Sequence, residues 1–175
     1  AQARSRPGFA MRQCLAGFYV AMRGVGAYFR PIYAMENRMS KPTPQEALVY
    51  LMVIMSASDR DMGDKELARI GAIIRTLPVF DGFAQARTLE VAQECQQLLQ
   101  QEAGLGGVLT LIKSALSDEL CETAYALAVE VAAADMSVKE EETRVLDIVR
   151  DRFAIDPLVV AAIESSAAIR HRRAN

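Results

Sequence analysis

Tryptophan is absent from the 175-residue chain, and aromatic residues make up only 6% of it. Sheet cores lean on aromatic and β-branched residues, so this shortage, beside plentiful Ala, Leu, Met, Glu and Gln, favours helix. Histidine occurs once, at His171, directly before Arg172-Arg173 near the end of the sequence. A His-based zinc site or a Ser–His–Asp triad would have to be built on that residue alone. The three cysteines, Cys14, Cys95 and Cys121, are odd in number and widely spaced, with no CxxC among them. That is the pattern of reduced, buried thiols, consistent with a cytoplasmic protein. No Gly-rich phosphate loop, zinc motif or nucleophile elbow is present, so an ordinary enzyme is not expected. Long apolar runs are also missing. The uncharged run Ala47–Ser58 has twelve residues, too few to span a bilayer.

The residues that are present define a globular chain. Apolar residues make up 51% and charged residues 24%, which excludes disorder of the whole chain. A chain of this length buries roughly 70% of its unfolded surface and needs no disulfide to form a core. Charge is unevenly divided. Residues 1–38 hold six Arg and a single acid, Glu36, for a net of +5, whereas residues 39–175 hold 14 bases and 21 acids, for a net of −7. An acidic body argues against a nucleic-acid surface there. The first 38 residues mix Arg with Phe, Tyr, Met and Gly without a helical period. Met39-Ser40-Lys41-Pro42-Thr43-Pro44 then reads like the start of a chain. Residues 1–38 are read as a basic N-terminal extension, non-native or disordered, and 39–175 as one helical domain. The alternative for 1–38 is a basic arm that touches a membrane or a partner.

Within 39–175 the apolar spacing predicts seven helices and no strand. Pro44 suits a first helical turn, and Ala47–Ser58 is apolar on every side, as a buried helix is. A second helix, from about Met62, carries Leu67, Ile70, Ile73, Ile74 and Leu77 on one face and stops at Pro78. A third is expected over about 81–102, with Thr88, Val91, Cys95 and Leu98 at heptad spacing. Gly104, Gly106 and Gly107 are read as a break before a short helix through Leu116. Another all-round apolar helix covers Thr123–Ala134, a polar one Val138–Phe153, and Asp156-Pro157 opens the last.

The chain also repeats itself at an offset of 76. Glu46, Leu51, Val53, Ala57, Asp59 and Glu66 meet identical residues, six of the 35 pairs between 44/120 and 78/154, against about two expected from composition. Each copy is an apolar helix, an acidic turn and an amphipathic helix. The fold expected is therefore an all-α bundle of about seven helices in two pseudo-symmetric halves, each burying its apolar helix against the other.

Capping explains part of the acidic turns. Ser137-Val138-Lys139-Glu140 is a capping box, Asp61-Met62-Gly63-Asp64 is a weaker version of it, and first-turn acids favour the helix dipole. Capping does not account for Asp59 and Asp135, two residues before the caps. Nor does it require Glu66 and Glu142, seven residues after those aspartates. The first copy packs Asp59, Asp61, Asp64 and Glu66 into eight residues, the oxygen-rich donor set that hard divalent ions prefer. It is not an EF-hand: Asp64 stands where the loop needs Gly, and Ile70 where it needs Glu.

An apolar helix ending Ala-x-Asp, with Glu seven residues after the Asp and the unit repeated within seven helices, resembles the TerB-like tellurite-resistance proteins. The resemblance covers Met39 to about Arg173 and is closest at Ala132-Ala133-Ala134-Asp135 through Glu142. Met136 and Arg60 stand where that family usually has Gly. The resemblance implies a non-enzymatic, cytoplasmic helical domain linked to stress and tellurite resistance. It implies an acidic site for a divalent metal such as calcium, formed by Asp59 and Glu66 with Asp135 and Glu142, and with Asp61, Asp64 and Glu140 as secondary ligands. It further implies protein partners, among them membrane-associated Ter proteins, that would hold the domain at the inner face of the membrane without inserting it. The competing expectation is a metal-free helical adaptor whose Gln-rich third helix exposes its heptad stripe for docking.

Overall fold

The computed structural model describes residues 41–56, 64–134 and 140–174. The described residues form seven α-helices: α1 (Pro44–Ser56), α2 (Asp64–Thr76), α3 (Thr88–Leu99), α4 (Gly104–Ala115), α5 (Asp118–Ala133), α6 (Glu140–Phe153) and α7 (Pro157–Arg170). No strand occurs among them. The basic extension 1–38 lies outside the described residues, as do residues 57–63 and 135–139, where the sequence reading put the acidic turns.

The two apolar helices are the centre of the packing. From Ala47 to Ser56 every residue of α1 is buried, because a helix without a polar face must be covered all round. α1 packs on α5, α3, α4 and α2, and α5 packs in turn on α7 and α6. Leu48, Leu51, Met52 and Met55 of α1 and Tyr125 of α5 are among the largest side chains wholly withdrawn from water. On α3, Thr88, Val91, Ala92, Cys95 and Leu98 all face this core. The heptad stripe read from the sequence is therefore core, and the docking face proposed for it on the adaptor reading is not available.

Local chemistry sets the helix ends. Thr43 and Glu46 form a capping box: Glu46 N donates to Thr43 Oγ1 at 3.2 Å, and Thr43 N donates to Glu46 Oε2 at 2.9 Å. Pro44 fills the first turn, where its missing N–H costs nothing. Asp156 caps α7 through Leu158 N at 2.7 Å, with Pro157 next. α6 ends in a left-handed residue, Ala154 at φ 55°. The 6→1 bond of such a terminus runs from Ile155 N to Arg150 O at 3.3 Å.

Two stretches differ from the sequence expectation. The third helix begins at Thr88 instead of near Asp81. Pro78–Phe80 and Gln85–Arg87 are single 3₁₀ turns, and Gly82 between them has φ 81°. Gln45 holds this segment against α1 by donating to the carbonyls of Val79 and Asp81, both at 3.0 Å. Arg87 pairs with Glu46 at 2.7 Å. The offset of 76 fails at the third helix: α7 opens at Pro157, whereas its counterpart Asp81 lies in a turn. The second difference is the glycine run, which opens α4 instead of breaking the chain. Gly104 supplies a left-handed turn at φ 49°. A Cβ on Gly107 would lie 2.5 Å from the Cβ of Ala103, so the chain fits only without a side chain there.

Candidate functional site

The acidic residues singled out in the sequence fall into two groups. Asp59, Asp61 and Asp135 lie outside the described residues, as does Ser137 of the expected capping box. The other four stand in the first turns of two helices. Asp64 and Glu66 open α2, and Glu140 and Glu142 open α6. Acids at these positions complement the unsatisfied N–H groups and the positive end of the helix dipole. Asp64 and Glu140 are exposed and Glu66 is half-buried. Glu142 differs: it is only 6% exposed, and it does not lack a partner. A carboxylate withdrawn from water needs pairing or hydrogen bonding, so a purely solvated acidic face does not account for it.

The donor chemistry fits a hard divalent ion, since every candidate offers carboxylate oxygen and none offers sulfur or imidazole. Among the described residues, no three His, Cys, Asp or Glu side chains converge as a metal-holding group. The four described acids are thus not a centre by themselves. A fuller donor set would have to draw on Asp59, Asp61 or Asp135, which lie outside the described residues.

The structure also brings together polar groups that sequence reasoning missed. Tyr50 of α1 donates to Glu94 of α3 at 3.3 Å, and Tyr125 of α5 donates to Glu164 of α7 at 2.7 Å. Burial, and then the neighbouring carboxylate, raises both phenols well above their ordinary pKa. The available signal was a Tyr within an otherwise apolar helix, since a buried phenol seeks an acceptor. Lys113 of α4 ties three elements together. Its ammonium donates to Asp118 at 2.9 Å, to Cys121 Sγ at 3.4 Å and to the Phe153 carbonyl at 3.4 Å. At the other end of α5, Glu130 accepts from Arg170 and contacts His171 Nε2 at 3.0 Å. Burial pushes the Glu130 carboxyl up, and the Arg170 and His171 contacts outweigh it, so the net shift is downward. The single histidine therefore closes the end of α7 against α5.

The two described thiols are buried and free. Burial pushes Cys95 up to about 12, and its Sγ lies 3.6 Å from the Tyr50 carbonyl. Cys121 is raised by burial, with Lys113 opposing. Neither has the lowered pKa and exposure of a reactive cysteine.

An all-helical module built on two central apolar helices, each followed by a helix with an acidic first turn, is what the fold defines. The chain belongs to the family of the tellurite resistance protein TerB, whose family model matches residues 45–165. No curated protein and no solved structure matches the chain. It is thus a helical module related to tellurite resistance, and no helix among its described residues is long and apolar enough to cross a membrane.

Proposed function

We propose that the protein is a non-enzymatic, cytoplasmic stress-response module that binds a divalent cation, calcium first among the candidates, through its two acidic turns. Asp59 and Glu66 would serve the first turn and Asp135 and Glu142 the second, with Asp61, Asp64 and Glu140 as supporting donors. The observation that carries this reading is the burial of Glu142 in the first turn of α6, seven residues after Asp135 in the sequence. The offset of 76 places Glu66 at the same position of α2. On this reading the two turns belong to pseudo-symmetric halves. An ion would relieve repulsion among their carboxylates and change the surface offered to protein partners. Those partners include membrane-associated Ter proteins, which would bring the domain to the inner face of the membrane. The inert setting of Cys95 and Cys121 supports a binding role over thiol chemistry on tellurite.

The test is the thermal midpoint of the full chain with and without calcium. A ligand of the folded state raises stability by mass action, so calcium should raise the midpoint, and Asp59→Asn or Asp135→Asn should abolish the rise. A midpoint indifferent to calcium would favour the metal-free adaptor. A rise that survives both substitutions would place the ion elsewhere.

A further inference from the structure

Helix α7 is apolar on two opposite sides. Val160 and Ala167 are buried against the body. On the far side Leu158, Ala162, Ser165 and Ile169 follow one another at spacings of four, three and four residues, and all four are exposed. Leu158 is 81% exposed and Ile169 56%, the two most exposed large apolar side chains among the described residues. At 100° per residue these four positions fall within about a 60° arc, centred opposite the buried pair. A 4-3-4 succession of this kind is the seam of a helix pair.

The seam is self-complementary. A twofold axis between residues 163 and 164 sets Leu158 of one copy against Ile169 of a second copy, and Ala162 against Ser165. The small residues lie at the axis, where crossing helices come closest. The large ones lie toward the ends, where the helices diverge and leave room to fill. Charge selects the direction. The N-terminal end of α7 carries exposed Asp156 and the other end exposed Arg172. An antiparallel pair brings the end of α7 that carries Arg172 to the end of the second copy's helix that carries Asp156, and opposes the helix dipoles. A parallel pair would set Arg172 against itself and Asp156 against itself.

We propose that the outward face of α7 is the interface of an antiparallel homodimer of this chain. Fourteen residues give a helix about 21 Å long. One such pair is at the small end of specific interfaces, so the dimer is reversible.

Sedimentation equilibrium of the full chain, carrying Cys14→Ser and kept in chelator so that the result is independent of any cation, tests the interface. The expected result is a monomer–dimer equilibrium whose dissociation constant rises about tenfold or more in Leu158→Asp and in Ile169→Asp, with unchanged circular dichroism. Direction is read by oxidative cross-linking. Leu158→Cys mixed with Ile169→Cys should give the mixed dimer, while each alone should stay uncrosslinked. A chain that stays monomeric up to about 1 mM, a dimer indifferent to both Asp substitutions, or cross-linking of Leu158→Cys with itself would each overturn the proposal.

Discussion

Glycine at the start of α4 allows two opposite expectations for one substitution. By helix propensity alone, Gly107→Ala should stabilise the protein by about 1 kcal/mol, since Ala is the better helix former. The structure reverses the sign. The added methyl would lie 2.5 Å from the Ala103 Cβ, well inside the ~3.5–4.0 Å at which carbon atoms attract. Neither group can swing away, because neither carbon has a torsion that moves it. The left-handed Gly104 and the bond from Gly107 N to Ala103 O at 3.0 Å hold the two backbones together. Overpacking of this kind costs about 1–3 kcal/mol, so a net loss of up to about 2 kcal/mol is expected once the propensity gain is subtracted. Gly106→Ala is the internal control. Its Cβ would meet only the Arg152 guanidinium, at 3.8 Å, an ordinary contact, and a gain of about 0.5–1 kcal/mol should appear. Urea denaturation followed by circular dichroism measures both. Equal stabilisation by the two substitutions would refute the account of this turn. Ala103→Gly combined with Gly107→Ala should recover most of the loss.

Three further predictions concern other contacts of the helices. Tyr125→Phe should cost about 1–1.5 kcal/mol and Tyr50→Phe less, because the first phenol donates to a carboxylate at 2.7 Å and the second at 3.3 Å. The order of the two in chemical denaturation is the check. Ala154→Gly should stabilise by about 1 kcal/mol, since it relieves a left-handed residue at the end of α6; a lower thermal midpoint would contradict this. Glu130 has a lowered folded-state pKa. Its contribution is therefore present above the unfolded carboxylate value near 4.5 and fades as pH falls through the lower folded value. Glu130→Gln should accordingly narrow its stability gap from the parent as pH drops from 6 toward and below 4.5, read from thermal midpoints.

Much of this fold was legible from periodicity. α1 and α5 announced themselves as apolar on all sides, and the heptad of Thr88, Val91, Cys95 and Leu98 marked the buried face of α3. Pro78 and Asp156-Pro157 marked boundaries because proline acts within one residue of its position. Tertiary contacts set what was not legible. The stretch after Pro78 is held in two short turns by Gln45 and Arg87, partners distant in sequence. The glycines of α4 looked like a break because their role depends on Ala103 and on Arg152, which donates to the Gly106 carbonyl at 2.5 Å. The capping box at Thr43 and Glu46 is present in the sequence as Thr-Pro-Gln-Glu. At the acidic turns, spacing identified Glu66 and Glu142 as positions that capping does not require. It gave no sign that only the second would be buried. Burial depends on what packs over a helix start, which a one-dimensional pattern does not carry.

The central claim is that the acidic turns hold a divalent ion. Calorimetric titration of the full chain with calcium, beside a matched magnesium titration, tests it most directly. The account predicts saturable heat at low stoichiometry that disappears in Asp59→Asn and in Asp135→Asn. No heat at millimolar calcium, or heat unchanged in both variants, would contradict it and leave Asp64, Glu66, Glu140 and Glu142 as helix-start acids alone.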